Sequence, residues 1–192
     1  MVDVCAECPA RLAADVDAAF PAFVAHHQDL VFGVALRVVR QRADAEDVAQ
    51  DAFVRAYRAL RGYAPERRTE LRLRPWLARI ALNLARNHVR RARQVSLTAD
   101  APDAAGPRHQ EPTSLVERRE ERRFWARLLA GLPERYQLAV GLRHVDGLSY
   151  SELSEALERP VGSAKSDVHR GVRLLRAAYE AELRRIEERE AV

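Results

Sequence analysis

The sequence predicts an all-α protein: two small helical domains joined by a flexible linker. Three observations carry this expectation. Apolar residues recur at helical spacing from about Phe20 to Arg93, and again from Leu115 onward. No run alternates apolar and polar residues between turn signals, so strands are not expected. Between the blocks, Ser96 to Thr113 carries Pro102, Gly106, Pro107 and Pro112 among Ala and Asp residues, a composition that buries no core and reads as a tether. The expected boundaries are a tail over 1–19, a first domain over 20–94, a linker over 95–114, a second domain over 115–176 and a helical extension over 177–192. A chain of 192 residues has room for two such domains.

In the first block, a helix is expected from about Asp15 to Gln41, with Phe23, Leu30, Val34 and Val38 inward and Pro21 as a candidate break. A second helix starts near Asp44, a candidate cap. Ala45, Val48, Ala49, Ala52, Phe53, Ala56 and Tyr57 form its apolar stripe. The opposite face holds Asp44, Asp47, Gln50, Asp51 and Arg55. Gly62 to Leu73, with Gly, Pro and many charges, reads as a loop. A last helix from about Pro75 to Arg93 turns Trp76, Ile80 and Leu84 inward, with Pro75 in its first turn.

In the second block, Leu115 to Gly131 reads as an amphipathic helix. Pro133 opens the next one, Glu134 to Val145, with Tyr136, Val140 and Leu142 as core candidates. Asp146-Gly147 ends it. Ser149 and Glu152 form a capping box for a short helix that packs on Leu153, Ala156 and Leu157. After Arg159-Pro160, Val161 is expected to plug the core, and a long helix starts near Ser163. Two short helices around a tight turn make a helix-turn-helix, whose second helix normally enters the DNA major groove.

Charge sharpens this reading. The net charge is only +4, yet the 22 residues from Arg72 to Arg93 hold seven Arg and no acid, a local field suited to a polyanion. Arg79, Asn83, Arg86, Asn87 and Arg90 line one face there. Arginine neutralises phosphate, and an amide donates and accepts at a base edge. Trp76 either packs in the core or offers a stacking plane to an unpaired base. In the second block, Ser163, Lys165, Ser166, His169, Arg170 and Arg173 are the candidate DNA contacts of the recognition helix. Asp44, Asp47 and Asp51 have no His beside them, so their face is either solvated or a dock for a basic partner helix.

No apolar run is long enough to span a bilayer, and the N-terminus lacks a signal-peptide pattern. A cytoplasmic protein with no membrane contact of its own is expected. Cys5 and Cys8 form a lone C-x-x-C that reads as two unpaired thiols, and His26, His27, His109 and His144 show no ligand spacing. No nucleophile–base pair, phosphate loop or metal cluster is visible, so neither enzymatic activity nor a cofactor is expected.

Three motifs together resemble the extracytoplasmic-function (ECF) sigma factors of bacterial RNA polymerase, in the sigma-70 family. They are Asp44-Ala45-Glu46-Asp47-Val48-Ala49-Gln50-Asp51-Ala52-Phe53, the segment from Pro75 to Asn83, and Leu132-Pro133-Glu134-Arg135 with Gly147–Leu153 and Val161–Ser166. The resemblance covers about Phe20 to Arg93 (region 2) and Leu132 to Arg176 (region 4). It implies that Asp44, Asp47, Val48, Gln50, Asp51 and Arg55 bind the core polymerase, at the clamp of its largest subunit, and that the flap is a further contact. It implies −10 DNA contacts at Trp76, Arg79, Asn83, Arg86, Asn87 and Arg90, and −35 contacts at the recognition-helix residues named above. Promoter DNA, core polymerase and an anti-sigma factor are the implied partners.

Two departures stand out. Asp167 follows Lys165-Ser166 where the family usually has a basic residue. An acid beside phosphates is repulsive, though it can also accept from cytosine N4, so either the strength or the sequence of −35 recognition departs from the usual; on the repulsion reading, Asp167→Arg is expected to strengthen −35 binding. The Arg61–Arg74 loop is also longer and more charged than usual. Two rivals remain open on the residues alone: a helix-turn-helix regulator that acts without polymerase, and a helical adaptor.

Overall fold

The computed structural model describes residues 7–96 and 123–190. These divide into two compact units: one over the first 104 positions with 154–158, the other over the remainder. The expected linker beyond Ser96, the start of the Leu115 helix, Cys5 and the outermost ends lie outside the described residues, while 95–96 belong to the last helix of the first unit. Every regular element among the described residues is a helix.

The first unit contains α1 (Cys8–Ala14), α2 (Val16–Val39), α3 (Arg42–Gly62), α4 (Pro65–Glu70) and α5 (Leu73–Ser96). Asp15 caps α2: its backbone is extended, and its Oδ1 accepts from the N–H groups of Asp17 (2.9 Å) and Ala18 (3.1 Å). Pro21 does not break this helix. It lies near the start, where few carbonyls lose a partner. α3 begins two residues before Asp44, after Gln41, so Asp44 occupies the first turn rather than capping it.

α2, α3 and α5 pack together around one core. Phe23, Val31 and Val34 come from α2, Leu60 from α3, and Leu77 and Leu82 from α5, all essentially without exposure. Burying side chains of this kind contributes roughly 1.5–3 kcal/mol each. The seams are lined by alanines, Ala45, Ala52 and Ala56 on α3 and Ala78, Ala81 and Ala85 on α5, all buried. Small residues there let helix axes approach closely.

Two expectations fail in this unit. Part of the supposed tail is α1, whose Leu12 is fully buried. The supposed loop over 62–73 contains α4, which Pro65 opens. Arg68 explains both. Its Nε donates to the Leu60 carbonyl (2.8 Å), and its Nη1 donates to those of Leu12 (3.2 Å) and Ala13 (3.4 Å). One guanidinium thus satisfies carbonyls at the C-terminal ends of α1 and α3, where helices lack partners.

The second unit contains α6 (the described helical residues 123–130), α7 (Glu134–Val140), the first half of α8 (Tyr150–Leu157), whose residues from 154 on fall in the first unit, and α9 (Val161–Glu190). α7 runs into a π-helical turn, Gly141–Val145, in which the Asp146 N–H reaches the Gly141 carbonyl at 3.0 Å. Gly147, at φ 71°, supplies the left-handed residue of the following turn. The capping box forms as expected. Ser149 N–H donates to Glu152 Oε2 (2.8 Å), and Glu152 N–H donates to Ser149 Oγ (3.3 Å). Val161 is 48% exposed and does not plug the core, because α9 already starts there and Ala164 and Val168 fill that place. The extension continues α9. Tyr179 stacks on Trp125 of α6 (5.2 Å, 15°), while Leu183 and Ile186 remain exposed.

Candidate nucleic-acid interface

Three helices carry the candidate residues. On α3, Asp47, Gln50, Asp51 and Arg55 are exposed, and Asp44 is half-buried with its Oδ2 3.5 Å from His88 Nε2. Val48 is different: only 4% exposed, it belongs to the packed stripe and not to the outer face. It is no surface contact, because the three-to-four-residue period that exposes Asp47 and Asp51 turns Val48 inward.

On α5, Asn83, Arg86 and Arg90 are exposed, and Arg79 and Asn87 are half-buried. The Asn87 amide oxygen accepts from Arg90 Nη2 at 3.1 Å, which orients both heads. This is the amide-and-arginine face read from the spacing. Trp76 does not join it. At 8% exposure it packs 6.3 Å from the Tyr63 ring, so it has no open plane for a base. The same ring belongs to a small surface cluster, with the Arg67 guanidinium 4.0 Å above Tyr63.

α9 supplies the third face. Lys165, Ser166, His169, Arg170 and Arg173 are exposed, and Ser163 is half-buried. The opposite side packs Ala164 and Val168 against the unit's core, and Gly171 against α7. Arg143 braces the turn ahead of α8. Its Nη1 donates to the Leu148 carbonyl at 2.9 Å, and its head covers the Tyr150 ring at 4.9 Å.

Asp167 corrects the sequence reading. It is fully buried on the inner side of α9, away from the exposed basic face. Its Oδ1 accepts from Arg135 Nε (2.8 Å) and Nη2 (2.6 Å), and its Oδ2 accepts from Arg159 Nη1 (3.0 Å). The hydrogen bond to Asp167 is the main cause that raises the Arg135 pKa above its ordinary value. A carboxylate so held does not repel a phosphate at the outer face. The expected gain from Asp167→Arg is therefore withdrawn, since that change would bury a third guanidinium against two others. A signal was present in the sequence: Ala164, Asp167, Val168 and Gly171 share one helical stripe, so an acid there requires a cation.

Among the described residues, no group of His, Cys, Asp and Glu could hold a metal, and no helix is long and apolar enough to cross a membrane. Cys8 is not a free thiol. It is buried and disulfide-bonded, with its Sγ 3.6 Å from His26 Nδ1.

Comparison with known proteins follows the same division. The family model for Sigma-70 region 2 matches residues 23–95, and that for Sigma-70 region 4 matches 125–175. The chain is 31% identical to the RNA polymerase sigma-H factor of Pseudomonas aeruginosa, over 86% of this chain and 89% of the relative. It is 35% identical to the ECF RNA polymerase sigma-E factor of Escherichia coli, over 79% and 82%. A solved structure of CnrH with the cytosolic domain of CnrY aligns at a TM-score of 0.65 and 26% identity, covering 93% of this chain and 99% of that one. The sigma factor RpoE of Bartonella quintana, solved with the anti-sigma factor NepR, shares the fold at a TM-score of 0.63 and 20% identity.

Proposed function

The chain belongs to the ECF sigma factors of the sigma-70 family, and from that membership we propose which of its faces does what. It directs core RNA polymerase to specific promoters and is not itself an enzyme. The exposed carboxylate face of α3, with Asp44, Asp47, Gln50, Asp51 and Arg55, grips a basic helix of the polymerase clamp. Residues 20–94 act as region 2. There Arg79, Asn83, Arg86, Asn87 and Arg90 hold the non-template strand at the −10 element, and capture of an unpaired base offsets the energy of melting. Residues 115–176 act as region 4, with Ser163, Lys165, Ser166, His169, Arg170 and Arg173 on the −35 major groove.

One observation carries the reading of α9. With Asp167 turned inward, its exposed surface holds no acid from Val161 to Tyr179, while Lys165, Arg170, Arg173 and Arg176 all face outward. That is a surface for a polyanion, and its early residues suit base edges while later ones suit phosphate. A protein regulator is part of the proposal too. The solved CnrH chain is held with a second protein, the cytosolic domain of CnrY, and a partner of that kind is proposed for this chain.

The test is reconstitution of the full chain with core polymerase, then run-off transcription with start sites mapped across a genome. Starts clustered behind one shared pair of elements are expected. A chain that leaves core polymerase free, or starts with no common upstream sequence, would overturn the reading. A regulator that acts without polymerase leaves the α3 and α5 faces without a role.

A further inference from the structure

The C-x-x-C of Cys5 and Cys8 has no part in promoter recognition, yet the structure gives it a chemical state. Cys8 is disulfide-bonded, and the chain holds two cysteines, so within one chain its partner is Cys5. The proposed function places this chain beside RNA polymerase inside the cell, where glutathione and thioredoxin keep thiols reduced. A disulfide in that setting is usually transient, catalytic or redox-sensing rather than structural. The C-x-x-C spacing also favours the thiolate and its exchange with disulfides.

A second observation concerns reactivity. Cys8 opens α1 and is 6% exposed. Its Sγ lies 3.6 Å from Nδ1 of His26, an exposed residue of α2. That imidazole is placed to take the Cys8 proton when the sulfur reacts and to return it when the thiol reforms. Packing holds the pair together. Leu12, one turn further along α1, is fully buried, and Arg68 of α4 donates to the Leu12 and Ala13 carbonyls.

We propose that Cys5 and Cys8 form a reversible dithiol–disulfide site, with His26 as its proton acceptor and a low-molecular-weight disulfide as its oxidant. Cys8 is buried, so the entering group is assigned to Cys5. The Cys5 thiolate attacks one sulfur of the oxidant, whose S–S bond breaks. One small thiolate leaves and takes up the proton that Cys5 gave to water. Cys8 then gives its proton to His26 Nδ1, and its thiolate attacks the Cys5 sulfur of the mixed disulfide. The second small thiol leaves with the proton from His26. Two protein thiols are oxidised to one disulfide, and one small disulfide is reduced to two thiols. The bond clips the chain at the start of α1, beside the turn in which the Arg11 N–H reaches the Glu7 carbonyl (3.0 Å). Oxidation tightens α1 on the first unit, and reduction loosens it. The choice of compartment rests on the sigma-factor reading; the sulfur chemistry does not.

The purified full chain is equilibrated in mixtures of reduced and oxidised glutathione and quenched in acid. Its free thiols are then counted by alkylation and mass. Both labels should disappear together as the mixture becomes more oxidising, and both should return in the reducing mixture. Two labels in every mixture, or none under excess dithiothreitol, overturns the site. Cys8→Ser should stop at a glutathione adduct on Cys5, whereas Cys5→Ser should leave Cys8 without one; the reverse pattern overturns the order of attack. His26→Ala should slow closure of the mixed disulfide several-fold with the helical circular-dichroism signal unchanged, and free imidazole should restore part of the rate. An unchanged rate, or a slow one that imidazole does not restore, removes His26 from the step. Amide exchange in α1 should be faster in the reduced chain, with α3 and α5 alike in both states. Equal α1 exchange overturns the clip. No polymerase or DNA enters these measurements, so their failure and a failure of the run-off test are told apart.

Discussion

His27 shows how one buried group sets a pH limit. It is 3% exposed, its ring lies 4.7 Å from Phe23, and its Nε2 has no hydrogen-bond partner. Burial, then the charges of Arg74 and His26, lower its pKa from 6.5 to about 4. Between those values the unfolded chain binds a proton that the folded chain refuses. The stability His27 permits is therefore complete above pH 6.5 and is lost as pH falls toward 4, up to about 3 kcal/mol. His27→Phe removes the titrating group in an aromatic setting. Urea unfolding at pH 7.5 and pH 5 should show the wild type losing clearly more stability than the variant. An equal loss in both proteins rules out His27 as the cause.

At the level of elements, α7 and α9 approach each other closely at Gly171. A Cβ on Gly171 would lie 2.5 Å from Val140 Cγ2 and 3.2 Å from both the Cβ and the carbonyl oxygen of Tyr136. Alanine normally favours a helix over glycine by about 1 kcal/mol. Here overpacking, typically about 1–3 kcal/mol, outweighs that gain, because one neighbour is backbone and another a β-branched side chain. Gly171→Ala is expected to lower the Tm by several degrees and to weaken −35 binding more than −10 binding. A raised Tm would mean that α9 shifts without cost. The helix positions were readable because periodicity, caps and turn residues are local: Ser149 with Glu152, and Asp146-Gly147, lie where their chemistry puts them. α1 and α4 were not readable. Each is a short helix held by distant partners, with Arg68 reaching 56 residues back along the chain to Leu12.

For the whole molecule, the faces proposed for polymerase attachment and for DNA recognition lie on different helices, so the two functions should separate on mutation. The α3 face is solvated, so reversing its charge leaves the core beneath intact. Asp47→Lys with Asp51→Lys should keep the helical circular-dichroism signal and the Tm within a few degrees. The same variant should lose co-elution with core polymerase by tenfold or more, through repulsion of a basic partner. Undiminished holoenzyme formation by this double variant would remove α3 from the polymerase interface. Val48 is unsuited to that experiment, since its truncation would open a cavity in the core.

The sequence by itself determined the helical class, the order of the long helices, the amide-and-arginine face of α5 and the exposed basic residues of α9. All of these follow from a 3.6-residue period that neighbouring residues set among themselves. Only the tertiary structure decided the fates of Asp167, Trp76, Val48 and Val161. A helix pattern says which residues share a face, but the chain packed against that face determines whether a given member meets water, a ring or a guanidinium. Asp167 shows the difference most clearly. Its partner Arg135 lies 32 residues away on another helix, and that contact turns an apparent obstacle to DNA into the anchor of two cations.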